Sequence, residues 1–130
     1  MIRGQGFTVS VPVGWSVSRS ARSVVATKGS SRLSVTIFTL LKPYDPARFQ
    51  AAAKELDGIA ARLAAQAGGR LTQSATSVVA GRKIRSYHFE SKGVPTRIGF
   101  VLVGKREYQL VCSGNTGRPC DLLFSSFSVT

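Results

Sequence analysis

The sequence predicts an α+β fold, in which an antiparallel β-sheet carries one long helix and one short C-terminal helix packed on a face. Segments rich in Val, Thr and Ile, with apolar and polar residues alternating, recur along most of the chain, as expected of half-buried strands. One segment, residues 46–67, instead repeats its apolar residues at helical spacing. In the second half of the chain, three successive connections between predicted strands are short and contain Gly. Such connections predict β-hairpins and therefore antiparallel pairing.

The first four strands are expected in the N-terminal third of the chain. Pro12-Val-Gly-Trp15 supplies a turn after the first strand, and Gly29-Ser-Ser31 joins the last two. We expect Trp15 to be a core anchor near a sheet edge. The predicted strands are Phe7–Val11, Trp15–Val17, Ser23–Lys28 and Arg32–Phe38.

The pattern changes to that of a long helix at about residues 46–67. Asp45 suits the N-cap and Pro46 the first helical position, while Gly68-Gly69 is a strong stop signal. The spacing indicates one buried face, which would pack on the sheet. The apolar residues on that face are Phe49, Ala52, Ala53, Leu56, Ile59, Ala60, Leu63 and Ala67.

The second half of the chain predicts four more strands and a short helix. The helix is expected at about residues 118–125. Asp121 in its first turn would stabilise it, because a negative charge there interacts favourably with the helix dipole. A final extended piece follows it. The strands are expected at Leu71–Ala80, Lys83–Glu90, Arg97–Val103 and Tyr108–Cys112.

The composition fits one globular domain over residues 1–130. Hydrophobic residues make up 43% and charged residues 18%, a balance that excludes an intrinsically disordered tail. A chain of this length buries enough surface to hold a core without a metal. It contains no run of about 18 apolar residues, so we expect no transmembrane segment.

The inventory of reactive residues argues against an enzyme. His88 is the only histidine, there are six carboxylates, and no HExxH, CxxC, GxSxG or GxxxxGK[ST] motif occurs. His88 lies in an alternating segment, where we expect it to be a strand residue facing solvent or a partner. We therefore predict no catalytic residues, no cofactor and no metal.

Cys112 and Cys120 are the only cysteines. The first ends a predicted strand and the second opens a predicted helix, with a flexible Ser113-Gly-Asn-Thr-Gly117 segment between them. We favour a disulfide over a zinc pair, which lacks two further ligands, and over two free buried thiols. A structural disulfide favours the periplasm, the cell surface or the exterior.

The N-terminus bears on the compartment too. Met1-Ile-Arg-Gly-Gln-Gly-Phe7 leads at once into the first strand, with no apolar signal region and no lipobox Cys. We expect either a cytoplasmic protein, if Met1 is native, or an extracytoplasmic one whose targeting segment is omitted from this sequence. We favour the second.

The two ends of the chain resemble a known group of domains. Phe7-Thr-Val-Ser-Val-Pro-Val-Gly-Trp15, together with Tyr108–Cys112 and the Cys120–Val129 tail, is similar to the PsbP-like and Mog-like (DcrB-like, LpqN-like) domains of actinobacterial secreted proteins and lipoproteins. The resemblance implies an α/β/α sandwich around an antiparallel sheet and a non-catalytic role. Such relatives serve as photosystem II subunits, as Ran binders or as envelope lipoproteins, so the fold does not choose a function.

The net charge of +12 is the strongest functional hint, and twelve Arg against six Lys suit bidentate contacts with phosphate or carboxylate. If the turns at residues 81–82 and 104–106 share one end of the sheet, a basic patch forms there. A generic charged surface is the alternative, since basic residues are scattered along the chain. The candidate patch consists of Arg82, Lys83, Arg85, Arg97, Lys105 and Arg106.

We therefore predict a non-catalytic, extracytoplasmic module that binds a protein or an envelope component through the open face of its sheet or its hairpin ends. The alternative is a module that binds a polyanion, such as nucleic acid or an anionic wall or lipid polymer, through the basic patch. No RNP, KH or helix-turn-helix signature supports nucleic acid in particular.

Overall fold

A seven-stranded antiparallel sheet forms the centre of the protein in the computed structural model, which describes residues 1–130. The helices are α1 (Phe49–Gln66), which a 3₁₀ turn at Pro46–Arg48 precedes, and α2 (Arg118–Ser126). The strands are β1 (Ile2–Gly4), β2 (Phe7–Val9), β3 (Ser16–Arg19), β4 (Ser23–Lys28), β5 (Ser31–Thr39), β6 (Arg70–Val79), β7 (Arg82–Ser91), β8 (Val94–Val103), β9 (Arg106–Ser113) and β10 (Ser128–Val129).

The predicted α+β class is confirmed, and both predicted helices are present. The long helix follows the expected signals: Asp45 accepts a hydrogen bond from the Ala47 N–H at 3.0 Å, and Pro46 starts the 3₁₀ turn. The chain then continues as α1 to Gln66. The short helix ends one residue beyond its predicted limit, at Ser126.

The large sheet joins two meanders in the order β3-β4-β5-β9-β8-β7-β6. The strands β3 to β5 form one meander and β6 to β9 the other, and the antiparallel pairing of β5 with β9 connects them. A second sheet, with the order β1-β2-β10, brings the two ends of the chain together.

Most observed strands begin or end one to three residues away from the expected limits, and two of these differences have a clear physical reason. The first strand ends at Val9 rather than Val11, because the Ser10 N–H donates to the Ser126 hydroxyl instead of a neighbouring strand. The strand β8 begins before Pro95 rather than after it, with Pro95 opposite Glu90. A proline is tolerated near the start of a strand, where a missing N–H disturbs the ladder least.

The two helices lie on opposite faces of the large sheet. Ile84 packs in the core that contains residues of α2, whereas Tyr87 and Phe89, at odd offsets along the same strand, pack in the core that contains residues of α1. Alternate residues of a strand point to opposite faces. The protein is therefore layered as helix, sheet and helix.

The core on the α2 side is the larger one, with 17 buried residues. The small sheet covers part of it through Phe7, whose ring lies 5.7 Å from that of Phe127 and 5.8 Å from that of Tyr108. On β8, a Cβ at Gly99 would meet the Phe124 ring at 2.5 Å, so a glycine is needed for α2 to approach this closely.

The disulfide joins Cys112, near the end of β9, to Cys120, in the first turn of α2. Both residues are fully buried, and their Cα atoms are 5.7 Å apart. The bond therefore ties α2 to the sheet, as the sequence predicted. Neither helix has the length and hydropathy needed to cross a bilayer.

The core on the α1 side is smaller because α1 packs on β6 and β7 and leaves the other half of the face uncovered. Leu56, Ala60 and Ala64 are the buried residues of the helix. On the uncovered half, β5 and β9 present polar side chains such as Thr36 and Gln109.

Candidate binding groove

A groove of about 810 Å³ runs between the N-terminal half of α1 and the β6–β7 hairpin. We call it the basic groove. Four basic side chains line it, and Asp57 is its single carboxylate. The four basic residues are Arg48, Lys54, Lys83 and Arg85.

Three elements, the 3₁₀ turn, α1 and β7, bring these four side chains together. Arg48 ends the 3₁₀ turn, and Lys54 follows within the first two turns of α1. Lys83 and Arg85 are alternate residues of β7, so both point to the face that α1 covers. The convergence thus depends on how α1 lies over the hairpin.

Asp57 holds the guanidinium of Arg85 in place. Arg85 donates from Nε to Asp57 Oδ1 at 3.1 Å and from Nη1 to the Thr76 hydroxyl at 3.2 Å. The Tyr87 hydroxyl donates to the same Asp57 oxygen. The only carboxylate of the groove is therefore already paired by groups of the protein.

These contacts also shift two pKa values. Burial lowers the pKa of Arg85, but hydrogen bonds to Tyr87 and Asp57 outweigh it, so the pKa ends above its ordinary value. Burial raises the pKa of Tyr87, and its hydrogen bond to Asp57 raises it further. At neutral pH, the Arg85 guanidinium is therefore charged and the Tyr87 phenol is neutral.

A second cavity of about 360 Å³ adjoins the basic groove at the β6–β7 turn. Arg82 and Tyr44 line it, and Lys83 lines both cavities. The β8–β9 turn lies at the same end of the sheet, where the Tyr44 N–H donates to the Gly104 carbonyl at 2.7 Å. Lys105, in that turn, is exposed there.

The structure does not bring the other two residues of the predicted patch to this groove. Arg97 lies on the α2 side, 3.9 Å above the Phe124 ring and 3.3 Å from Asp121. Arg106 also faces that side and donates to the Gln5 carbonyl at 3.4 Å. Their positions follow from strand alternation, which places them opposite to the face that carries Lys83 and Arg85.

Sequence reasoning missed Arg48 and Lys54 as site residues. Both lie on the exposed side of the predicted helix, and their spacing carries no signal of a site. What makes them part of the groove is the packing of α1 across β6 and β7, which is a long-range feature.

His88 lies on the α2 side of β7, directly opposite Arg97 on β8. Burial lowers the pKa of His88, and the charge of Arg97 lowers it further. No hydrogen bond joins its ring to a carboxylate, and no group of three or more His, Cys, Asp or Glu residues gathers anywhere in the protein.

A second groove, of about 580 Å³, lies near the C-terminal end of α1. Arg32 and Lys92 line it, with no carboxylate. Its floor mixes hydroxyls such as that of Ser34 with the apolar side chains of Phe89 and Val111. It carries two basic side chains, whereas the basic groove carries four.

Comparison with known proteins supports the fold but does not assign the groove. The sequence matches no protein-family model and no curated protein. The crystal structure of a protein from Bacteroides thetaiotaomicron, at 1.50 Å resolution, superposes on 96% of this chain with a TM-score of 0.57 and 8% sequence identity. The chain spans 45% of that protein's length. A similarity at this identity bears on the fold alone.

Proposed function

We propose that the protein is a non-catalytic binding module that works outside the cytoplasm and takes an acidic part of a partner protein or envelope component in its basic groove. The observation that carries the proposal is the convergence of Arg48, Lys54, Lys83 and Arg85 on one groove whose only carboxylate is already paired.

The charges of this groove are poorly neutralised by the protein itself. Only Arg85 and Arg97 form ion pairs within 4.0 Å, although the chain has 18 Lys and Arg residues. Like charges that face one cleft raise its positive potential and attract an anionic partner. Since Arg85 is held by Asp57 and Thr76, part of the site is in position before a ligand arrives.

The extracytoplasmic assignment rests on the disulfide. Cys112 and Cys120 are both buried and bonded, which suits an oxidising compartment. The resemblance to PsbP-like and Mog-like domains, which belongs to the same proposal, is supported by the layered arrangement of helix, sheet and helix. The disulfide supports a place in the cell envelope or beyond it, and the resemblance supports a binding role there.

A polyanion is the second candidate for the partner. The basic groove continues into the cavity at Arg82, and Lys105 is exposed at the same end of the sheet. A longer basic surface of this kind would suit a nucleic acid or an anionic wall or lipid polymer, whose charges repeat along a chain.

Fluorescence anisotropy with a fluorescein-labelled polyglutamate of about twenty residues tests the proposal at low salt. We expect Lys54→Glu combined with Lys83→Glu to weaken binding by about tenfold or more, because two attractions become repulsions. Lys28→Glu combined with Lys92→Glu is the matched control. It changes the net charge equally, but its residues lie at the other end of the sheet. An equal loss in both double variants would mean that the net charge, and not the groove, governs binding.

Duplex DNA separates the two candidate functions. Three or four phosphate contacts predict that the logarithm of the binding constant falls with log[salt] at a slope of about −3 to −4. The polyanion function replaces the first if three results are found together. DNA shows this slope and still binds at about 0.15 M salt, its affinity falls in the Lys54/Lys83 variant, and polyglutamate does not bind. If polyglutamate binds more tightly, the acidic partner stands.

A further inference from the structure

The two edges of the large sheet differ in how well they are protected. At one edge, β3 has only four residues and includes Arg19. At the other, β6 has ten residues, with no charged residue and no proline after Arg70. Proteins normally shorten, charge or cover an exposed edge strand because its unpaired backbone groups bind other strands. Beyond the register shift between Leu71 and Gln73, the edge of β6 has none of these protections.

The unprotected part is the segment Gln73–Val79, which we call the β6 edge. A register shift between Leu71 and Gln73 marks its beginning, and Val79 marks its end. The strand pairs only with β7, so about every second residue directs its N–H and C=O groups away from the sheet. Most of the segment is exposed, including Val78, whose exposed fraction is 69%.

We propose that the β6 edge accepts an extended acidic segment of a partner protein as an eighth strand of the sheet. The inference rests on the proposed function, because the added strand would run along one wall of the basic groove. Thr76 belongs both to this edge and to the lining of the groove, where it accepts a hydrogen bond from Arg85.

The register of the sheet specifies where the acidic residues of such a segment would lie. Thr76 is opposite Arg85 and Val78 is opposite Lys83, so these two residues face the side of α1. An added strand lies about 4.8 Å beyond β6, and its residues opposite Thr76 and Val78 would face the same side. Carboxylates at these alternate positions would therefore approach the basic groove.

The other face of the β6 edge favours a polar residue between those carboxylates. The hydroxyl of Ser77 is buried and has no hydrogen-bond partner. Ser77 alternates with Thr76 and Val78, so it points to the α2 side. A hydroxyl residue opposite Ser77 in the added strand would give it a partner, as cross-strand Ser and Thr pairs do.

Charge argues against a second copy of this chain as the occupant. Pairing two β6 edges with their α1 sides on the same face would bring two basic grooves next to each other, in a protein whose net charge is +12. Like charges facing each other across an interface are unfavourable. An acidic strand removes this repulsion and at the same time completes the backbone hydrogen bonds.

A fluorescein-labelled peptide of about nine residues, with Glu and Thr alternating, is the probe. The control peptide has the same sequence with N-methyl groups on its backbone amides, which removes the donors and keeps the charge. We expect the control to bind at least about tenfold more weakly, since several backbone hydrogen bonds are lost. Amide hydrogen exchange in the β6 edge should slow at alternate residues when the unmodified peptide is bound.

The outcomes separate this inference from the proposed function. If both peptides bind equally and exchange in the β6 edge does not change, strand addition is wrong and the basic groove alone binds the acidic ligand. If neither peptide binds, and polyglutamate does not bind either, the proposed function fails and strand addition fails with it. Slow exchange in the β6 edge without peptide, together with a dimer in sedimentation, would identify a second copy as the occupant and overturn the acidic segment.

Discussion

Single side chains on β7 and β8 connect the interior of the protein to its charged surface. Tyr87 is fully buried in the core on the α1 side, yet its hydroxyl reaches Asp57 at the basic groove. On the opposite face, Arg97 covers the Phe124 ring and lies opposite His88. The strand β7 therefore carries the ordered Arg85 side chain on its α1 side and places His88 opposite Arg97 on its α2 side.

The pairing of His88 with Arg97 makes the pKa of His88 a measure of local structure. That pKa lies below its ordinary value of 6.5, first because of burial and then because of the charge of Arg97. We expect Arg97→Gln to raise it towards 6.5, as followed by NMR titration of the His88 ring. Arg19→Gln, on the distant β3, is the control and should leave the titration unchanged.

The same shift predicts how stability depends on pH. Because the folded state binds the proton more weakly than the unfolded chain, the contribution of His88 is fully present above about pH 6.5, the pKa of the unfolded chain, and is lost as the pH falls from there through the lower pKa of the folded state. Urea titrations at several pH values would measure it, and His88→Gln should remove this part of the dependence. A pKa of His88 above 6.5 in the folded protein would contradict the lowering of its pKa by burial and Arg97.

For single residues, the sequence predicted part of the candidate site. Lys83 and Arg85 are alternate residues of a predicted strand, and alternation alone places them on one face. Alternation places Arg97 on the face opposite to Lys83 and Arg85 only in combination with the register between β7 and β8, and the position of Lys54 depends on the path of α1. Neither quantity is encoded in a local pattern, so neither was predictable from one sequence.

The elements themselves were largely predictable because local signals mark their ends. The Asp45-Pro46 pair and the Gly68-Gly69 pair bound the long helix. A Cβ at Gly69 would clash with the carbonyl oxygen of Glu90, so the stop signal is also a packing requirement. The strands β1 and β10 were harder to predict, since strands of three and two residues depend on pairing with β2 more than on their own sequence.

The disulfide determines how firmly α2 is attached to the sheet. It closes a loop with a sequence separation of 8, so the chain-entropy model gives it about 2–3 kcal/mol. We expect Cys112→Ser combined with Cys120→Ser to lower the free energy of unfolding by about this amount in urea titrations.

Alkylation followed by mass spectrometry, with and without reductant, checks the bond itself: both thiols should be protected until reductant is added. Alkylation of the unreduced protein would contradict both the bond and the extracytoplasmic proposal.

The order of strands across the whole sheet could not be predicted from the sequence. Hairpin signals predict each meander separately, but the pairing of β5 with β9 joins residues that are far apart in the chain, such as Val35 and Leu110. Contacts of this kind depend on the complementary surfaces of complete elements. The basic groove has the same origin, since α1 and the β6–β7 hairpin build it together.

The charge of the whole molecule predicts that salt stabilises it. With a net charge of +12 and two ion pairs, repulsion between basic side chains opposes the folded state. Raising the NaCl concentration from about 0.01 to 0.15 M shortens the Debye length from about 30 to 8 Å, and we expect the free energy of unfolding to rise by on the order of 1 kcal/mol. The Lys54/Lys83 double variant, which has a lower net charge, should respond less. A stability that falls over this range would contradict the expectation.

The small sheet of β1, β2 and β10 has a practical consequence for any attachment to the chain. Its strands pair the first and last segments, and the Thr130 N–H donates to the Gly6 carbonyl at 3.0 Å. Both ends therefore lie at one corner, on the layer that faces away from α1. A tag, a neighbouring domain or a tether joined at either terminus would hold the molecule with its basic groove directed outwards, so the groove should stay accessible in immobilised protein.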